Sequence, residues 1–353
     1  MTRPRHLEGE LVTSRRGFFW VIDETVSLAQ GTIPRGQIFV QWEAPETVTK
    51  PYPIVCIHGG GGQGTDYLGT PDGRPGWATF MVKEGYAVYV VDRPGYGRAP
   101  FHPDVLGPPG SLFPYELVSA LFTNSADGPM AHPTAHLHTQ WPGSGDADDR
   151  SVHQFAAGGS WLPADFPATH AMERDRGAAL LDEIGPAILM TGSAGSPMGW
   201  LTADARPSLV EAIVALEPIG PPFMVDTNLG ISLDWGLTAS PMTFDPPAAS
   251  PDELEKGQVG EWTLQAEPAR KLTELAEIPI AIVEAEASLF AYSCPATAAF
   301  LEQAGCRVDR IVLAEHGVHG NGHLMLLERN NREVLEPILR WLDETVGSDP
   351  GGV

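Results

Sequence analysis

The six residues Met190–Gly195, reading MTGSAG, directly follow the apolar run Pro-Ala-Ile-Leu. This pattern puts one serine, Ser193, at a turn from a buried strand into a helix, with small residues at Thr191 and Gly195 on either side. A serine in such a turn takes a strained backbone conformation that only small flanking residues tolerate. Its hydroxyl then stands above the strand end, beside the amino end of a helix. Thr191 stands where the strict Gly-x-Ser-x-Gly pattern has a glycine. Ser196 is the rival in this stretch, but Pro197 follows it, and proline has no N–H to offer a developing oxyanion. The plain alternative is a serine capping the helix that follows a core strand.

Two other segments supply what a reactive serine needs. Pro53–His58 (PIVCIH) reads as a strand buried on both faces and ends in the run Gly59–Gly62. Glycines there let backbone N–H groups approach a ligand closely. In acyl transfer, Gly60 or Gly61 with Ala194 would form an oxyanion hole. A phosphate loop is disfavoured, because no Gly-Lys-Ser/Thr follows and the Gly-x-Gly-x-x-Gly spacing is missing. Near the C-terminus, Glu315–Glu328 (EHGVHGNGHLMLLE) follows the strand-like run Asp309–Ala314. His316, His319 and His323 invite a metal reading, but Gly317, Gly320 and Gly322 break the helix that ligands four apart require. A loop carrying one catalytic histidine suits the glycines better. His323, in a Gly-His step before a helix starting near Leu324, is the first choice and His319 the second. Glu315 and Glu328 are equally well explained as solvated.

These pieces, with Val88–Asp92 (VYVVD) and Arg93–Gly97 (RPGYG) between them, follow the order of the α/β-hydrolase superfamily, which most of the chain resembles. Leu201–Phe223 and Gly317–Asn331 resemble more narrowly a subgroup of bacterial serine esterases. The resemblance is weak over 101–185 and 223–277. It implies an α/β fold: a mostly parallel central sheet, helices on both faces and an inserted lid. It also implies a triad of Ser193, His323 and Glu217, the last in the step Ala215-Leu216-Glu217-Pro218. No metal or organic cofactor is implied, and a homodimer is suggested. The commoner superfamily arrangement puts the acid after the next strand, Ile278–Val283, and so nominates Glu286 or Glu284. Its role either way is to fix the tautomer of the histidine and stabilise the imidazolium.

On this reading the core comprises residues 1–100, 186–218 and 278–346. Residues 101–185 and 219–277 form the lid, and 347–353 a disordered tail. Arg15–Gln41 reads as an antiparallel edge around Gly31–Gly36, and Glu267–Ala276 as a helical run. Trp141, Trp161, Trp235 and His319 are candidates for the substrate pocket. In His132–His138 (HPTAHLH), His132, His136 and His138 read as solvated rather than metal-bound.

Composition narrows the function further. The chain has 353 residues, 42% of them hydrophobic, and a formal charge of −23 without an acidic tail. No Lys/Arg stripe offers itself to nucleic-acid phosphates, so a neutral organic ester or lactone fits better. Cys56, Cys294 and Cys306 make an odd count, and the first residues (MTRPRHLEGELVTSRRGFF) lack an apolar h-region. Together these favour reduced thiols and a cytoplasmic location. No apolar run reaches the roughly 18 residues of a membrane span. The expected activity is hydrolysis of a bulky, partly apolar ester or lactone through an acyl-enzyme. The alternatives are the same triad acting on an amide, thioester or carbon–carbon bond, or a non-catalytic protein that keeps the fold as a ligand-binding site.

Overall fold

Apolar runs bounded by glycine and proline become adjacent strands. The computed structural model describes residues 12–126 and 128–347. Most of the stretch read for a leader, residues 1–11, and the tail beyond 347 lie outside the described residues. Eight strands form one sheet: β1 (Ser14–Val21), β2 (Ile38–Pro45), β3 (Ile54–Ile57), β4 (Val88–Asp92), β5 (Ala187–Gly192), β6 (Val210–Leu216), β7 (Pro279–Glu284) and β8 (Arg307–Val312). Their spatial order is β1-β2-β4-β3-β5-β6-β7-β8. The first two strands are the antiparallel edge, β2 runs antiparallel to β4, and β4 onward is parallel.

Strands covered on both faces have to be apolar on both, which is why β3 is buried at every position and β5 at all but its last. Alternation sorts their side chains into two layers. Val55, Ile57, Leu189, Ile213 and Ile282 face one way, against α2 (Phe166–Ile184), α3 (Ser196–Ala205) and α4 (Cys294–Gln303). Ile54, Cys56, Met190, Val214 and Val283 face the other, against α1 (Trp77–Lys83) and α5 (Asn331–Thr345). Cys56, Cys294 and Cys306 are buried and unpaired. No helix among the described residues is long and apolar enough to cross a membrane.

Three local expectations need correction. Helix α2, capped by Asp165, falls in the stretch read as lid, but its Leu180 and Leu181 pack into the sheet's core. The expected helix over Glu267–Ala276 is a set of turns. Its backbone bonds elsewhere: Lys271 exchanges N–H···O bonds with Asp245, and the Leu272 N–H reaches Ala304. Finally, the helix expected from Leu324 begins only at Asn331. Arg74 takes the carbonyls of Leu327, Glu328 and Arg329 with its guanidinium, holding the intervening residues in turns.

Ile213 sits fully buried in β6 between two parallel neighbours. Ile213→Ala should cost about 2–5 kcal/mol. Urea unfolding would show this as a lower midpoint at an unchanged slope, and a loss near zero would mean that the sheet core is not packed as described.

Candidate active site

At the end of β5 the chain turns sharply. Ser193 has φ +48, a left-handed conformation unusual for a residue with a side chain, and opens the short turn Ser193–Gly195 that leads into α3. The small flanks have a direct reason. A Cβ on Gly195 would lie 2.2 Å from the His58 carbonyl oxygen, and one on Gly199 would lie 2.6 Å from the Thr191 methyl. Ser196 is buried, with its Oγ 3.1 Å from Thr191 Oγ1, and so is committed to the interior.

The glycine run after β3 lies directly on this turn. A Cβ on Gly59 would approach Ser193 Cβ to 3.2 Å, and one on Gly60 would approach Ala194 Cβ to 3.1 Å. Gly61 has φ +69 and sits beneath Phe113. The Gly59 carbonyl accepts from Arg93 Nη2 at 2.9 Å and faces His58 Nδ1 at 2.8 Å. Burial first, and the Arg93 charge second, hold the His58 pKa well below its usual value. The neutral ring accepts the Arg93 backbone N–H at Nε2 (3.1 Å), which leaves Nδ1–H to donate to Gly59. In a trans peptide the N–H points opposite the C=O, so anchoring the Gly59 oxygen also aims the Gly60 N–H. Arg93 is itself buried and paired with buried Glu173 at 2.8 Å.

Glu217, just past β6, is the second strained residue, with φ +40. Its backbone N–H bonds to Val283 of β7. Its Oε1 accepts the Ala285 N–H at 2.9 Å; its Oε2 accepts the Ser288 hydroxyl at 2.6 Å and lies 2.5 Å from His323 Nδ1. The imidazole clusters with Phe122 and Phe290, stacked on the first at 5.5 Å between ring centroids and tilted against the second at 4.2 Å. A carboxylate at Nδ1 selects the tautomer that carries its proton there and leaves the Nε2 lone pair free. His323 and Ser193 line the same small cavity with Gly59 and Gly60.

A larger cavity of about 780 Å³ opens from Ser193 and Ala194, walled chiefly by Phe113, Leu162, Met224, Ile231, Phe290 and Tyr292. The three nominated tryptophans are not among its lining residues. Trp141 is buried beside Leu324 and Leu327 with its N–H on Asp149; Trp235 belongs to the core under the sheet; Trp161 is 45% exposed. Aromatic content reported that these segments bury surface, but not toward what. Glu286 does line the cavity, and its carboxylate takes the Gly320 N–H and His319 Nδ1 rather than His323. Glu284 pairs with Arg310 at the end of β7. Among the described residues, no three His, Cys, Asp or Glu side chains are grouped as metal ligands would be.

No family model matches the chain. A probable secreted lipase, phiG, from a fungal species (strain ATCC 74256) is 39% identical over 97% of this chain and 92% of its own length. A novel bacterial esterase solved at atomic resolution superposes with a TM-score of 0.66 at 23% identity, over 96% of this chain and 98% of its own. The chain belongs to the α/β-hydrolase superfamily. It is a carboxylic ester hydrolase of the serine type. A naproxen esterase from Bacillus subtilis matches at a TM-score of 0.44 and 13% identity, over 94% of this chain and 93% of its own, too loosely to bear on the site.

Several residues of the esterase site escaped sequence reasoning. Ser288 and Phe290 sit on an unpatterned loop after β7, and Phe122 comes from the first insertion. Two expectations of solvation are overturned. Glu328 is fully buried, and His138, 2.6 Å from it, is nearly so. No local pattern distinguishes a buried carboxylate from a surface one.

Asp66 is half-buried beside the Gly59–Gly62 run, where desolvation first, and then the charge of Asp92, push its carboxyl up to about 7 from an ordinary value of 3.8. A carboxyl raised by folding favours the native state below its unfolded pKa, and that advantage is lost as pH rises through about 7. Asp66→Asn should therefore raise Tm relative to wild type at pH 8 and not at pH 4. Equal differences at both values in thermal melts would refute the burial argument.

Proposed function

We propose that Ser193, His323 and Glu217 act as a triad in two-step acyl transfer. What carries the reading is the 2.5 Å contact between Glu217 and His323, on an imidazole that shares a cavity with the strained Ser193. His323 Nε2 takes the Ser193 proton as Oγ attacks the ester carbonyl, and Glu217 holds and stabilises the resulting imidazolium. The N–H groups of Gly60 and Ala194, with Gly61 alongside, receive the oxyanion; removing one such donor typically costs about 10²–10³ in rate. His323 then protonates the leaving alcohol and activates a water that frees the acid. In a lactone, acid and alcohol leave as one opened molecule.

The substrate we propose is a bulky, partly apolar ester or lactone. A cavity of about 780 Å³ with mainly apolar walls supports this, and so does the lipase name of the fungal relative. The cavity's lining includes Asp226 and Glu286 and no lysine or arginine, which favours a neutral molecule over a carboxylate. The segments over the site, within 101–165 and 219–277, are assigned as its lid. Three buried thiols support the cytoplasmic reading, while the relative's name points to secretion; fractionation of the native host decides between them.

A serine-directed phosphonate should label the protein, and Ser193→Ala should abolish the label. Glu217→Gln should lower kcat by about 10³–10⁴, as removal of a triad acid does, whereas Glu286→Gln should leave it within about tenfold. The opposite ranking would move the acid to Glu286. Across a panel running from acetates to aromatic and macrocyclic esters, preference for the smallest acetate would overturn the substrate reading.

A further inference from the structure

The buried pair Glu328–His138 has no part in the chemistry just described, yet it is built around the backbone of His323. Glu328 is fully buried, and every donor around it belongs to or touches the histidine loop. Its oxygens accept the Gly322 N–H at 3.0 and 3.1 Å and Asn321 Nδ2 at 2.8 Å, and Oε1 lies 2.6 Å from His138 Nε2. Gly322 immediately precedes His323, so this carboxylate holds the peptide from which the imidazole projects. His138 sits against the same glycine, where a Cβ would approach its ring to 2.9 Å.

His138 itself comes from the first insertion. The segment that follows the short turn Ala135–Leu137 is laced to the histidine loop: the N–H groups of Thr139 and Gln140 both donate to Gly320 O, at 3.0 and 3.2 Å. Gln140 Nε2 reaches His319 O, the Arg329 N–H returns to Gln140 O, and Arg329 Nη1 bonds Thr139 O. On the opposite side Arg74 holds the carbonyls of Leu327, Glu328 and Arg329. The loop is glycine-rich and has no regular secondary structure, so these bonds take the place of a helix or strand in defining its path.

We infer that Glu328 and His138 are positioning residues for the general base: a second carboxylate–imidazole couple that sets the placement of His323 and ties it to the insertion over the site. The inference rests on the triad reading above. Its physical reason is the steep dependence of proton transfer on geometry, since a misplacement of about 1 Å costs roughly 10²-fold in rate. Replacing Glu328 by glutamine puts an NH₂ where three donors converge, so at least one donor loses its acceptor. Removing the His138 ring takes away one tie to the insertion, leaving Glu328 its other two donors and the bonds of Thr139 and Gln140 in place.

The test compares Glu328→Gln, His138→Ala, His138→Gln and the Glu328→Gln/His138→Ala pair on a water-soluble aryl ester, with Tm measured for each. The expected result is a fall in kcat of about 10–100-fold with KM nearly unchanged, and a double variant less impaired than the product of the singles. His138→Gln, which restores a donor, should recover part of the loss. The far-downfield NMR signal of the His323 Nδ1 proton, held by Glu217, should shift or broaden in the impaired variants; a general loss of stability would leave it in place in the folded fraction. Folded variants with wild-type kcat and an unmoved proton signal would overturn the inference. If Glu328→Gln does not fold, the two His138 variants carry the same test. Ser193→Ala and His323→Ala, run alongside, keep the failures apart: if they leave phosphonate labelling intact, the triad reading falls, and if they abolish it while the Glu328 and His138 variants are silent, only this inference falls.

Discussion

The close approach of two backbones, where the loop after β3 lies on the turn after β5, is the constraint on which the site depends. A Cβ on Gly195 would lie 2.2 Å from a carbonyl oxygen, so the position admits no side chain, and Gly59 and Gly60 rest closely on Ser193 and Ala194, where a Cβ would come to 3.2 and 3.1 Å. Parallel neighbours in a sheet bring their carboxyl ends to one edge, so strands distant in sequence deliver a serine and a set of N–H donors to one point. The left-handed φ of Ser193 is the local strain this arrangement requires. It persists because the surroundings over-determine it: β3 and β5 are paired along their length, and α3 is packed into the core. Arg93 adds a further tie by bonding Gly59 O and, at 3.1 Å, Ala194 O with one guanidinium.

The position of the proposed acid follows from the same edge. Strands β6 and β7 are adjacent, so carboxylates at either end lie within reach of a histidine carried in after β8. What separates them is how each is already engaged. Glu217 turns inward on a left-handed φ, takes the Ala285 N–H and the Ser288 hydroxyl from the loop after β7, and meets the ring it supports. Glu286 is only slightly farther along that loop, yet it spends its oxygens on Gly320 and His319. On the proposed triad, the loop after β7 therefore serves the acid as a set of donors rather than supplying it.

Much of this was readable from residue order, and the reasons are specific. The runs at 54–57, 88–92 and 187–192 are buried on both faces, which leaves a continuous apolar signature that little else in a chain of this length produces. The MTGSAG turn and the Gly59–Gly62 run are dictated by sterics at single atoms, and sterics of that kind leave small residues as their trace. The pocket and the support of the histidine loop left no such trace. Trp141 and Trp235 are indeed buried, but which space an aromatic fills depends on tertiary placement that composition does not encode. Glu328 and His138 looked like surface residues because charged side chains usually are. Their partners lie 190 positions apart, beyond any local pattern. The run 267–276 had helical residues but lost the competition to long-range backbone pairing with 245 and 304.

The buried ionisable pairs share a logic that stability alone does not explain. Arg93–Glu173 and His138–Glu328 are each almost wholly removed from water. Desolvating such groups costs several kcal/mol per ion, and apolar replacements of the same shape are often no less stable. Their placement argues for another return. Each couples an element outside the catalytic edge, α2 in one case and the first insertion in the other, to a glycine whose peptide borders the reacting groups. An apolar contact would fill the same space but would leave Gly59 O with His58 as its one side-chain donor and the Gly322 N–H without its carboxylate acceptor, and loops without regular secondary structure have little else to hold a peptide plane. Directional bonds from these buried polar groups supply that orientation, and on the proposed mechanism what they orient is the Gly60 N–H and His323.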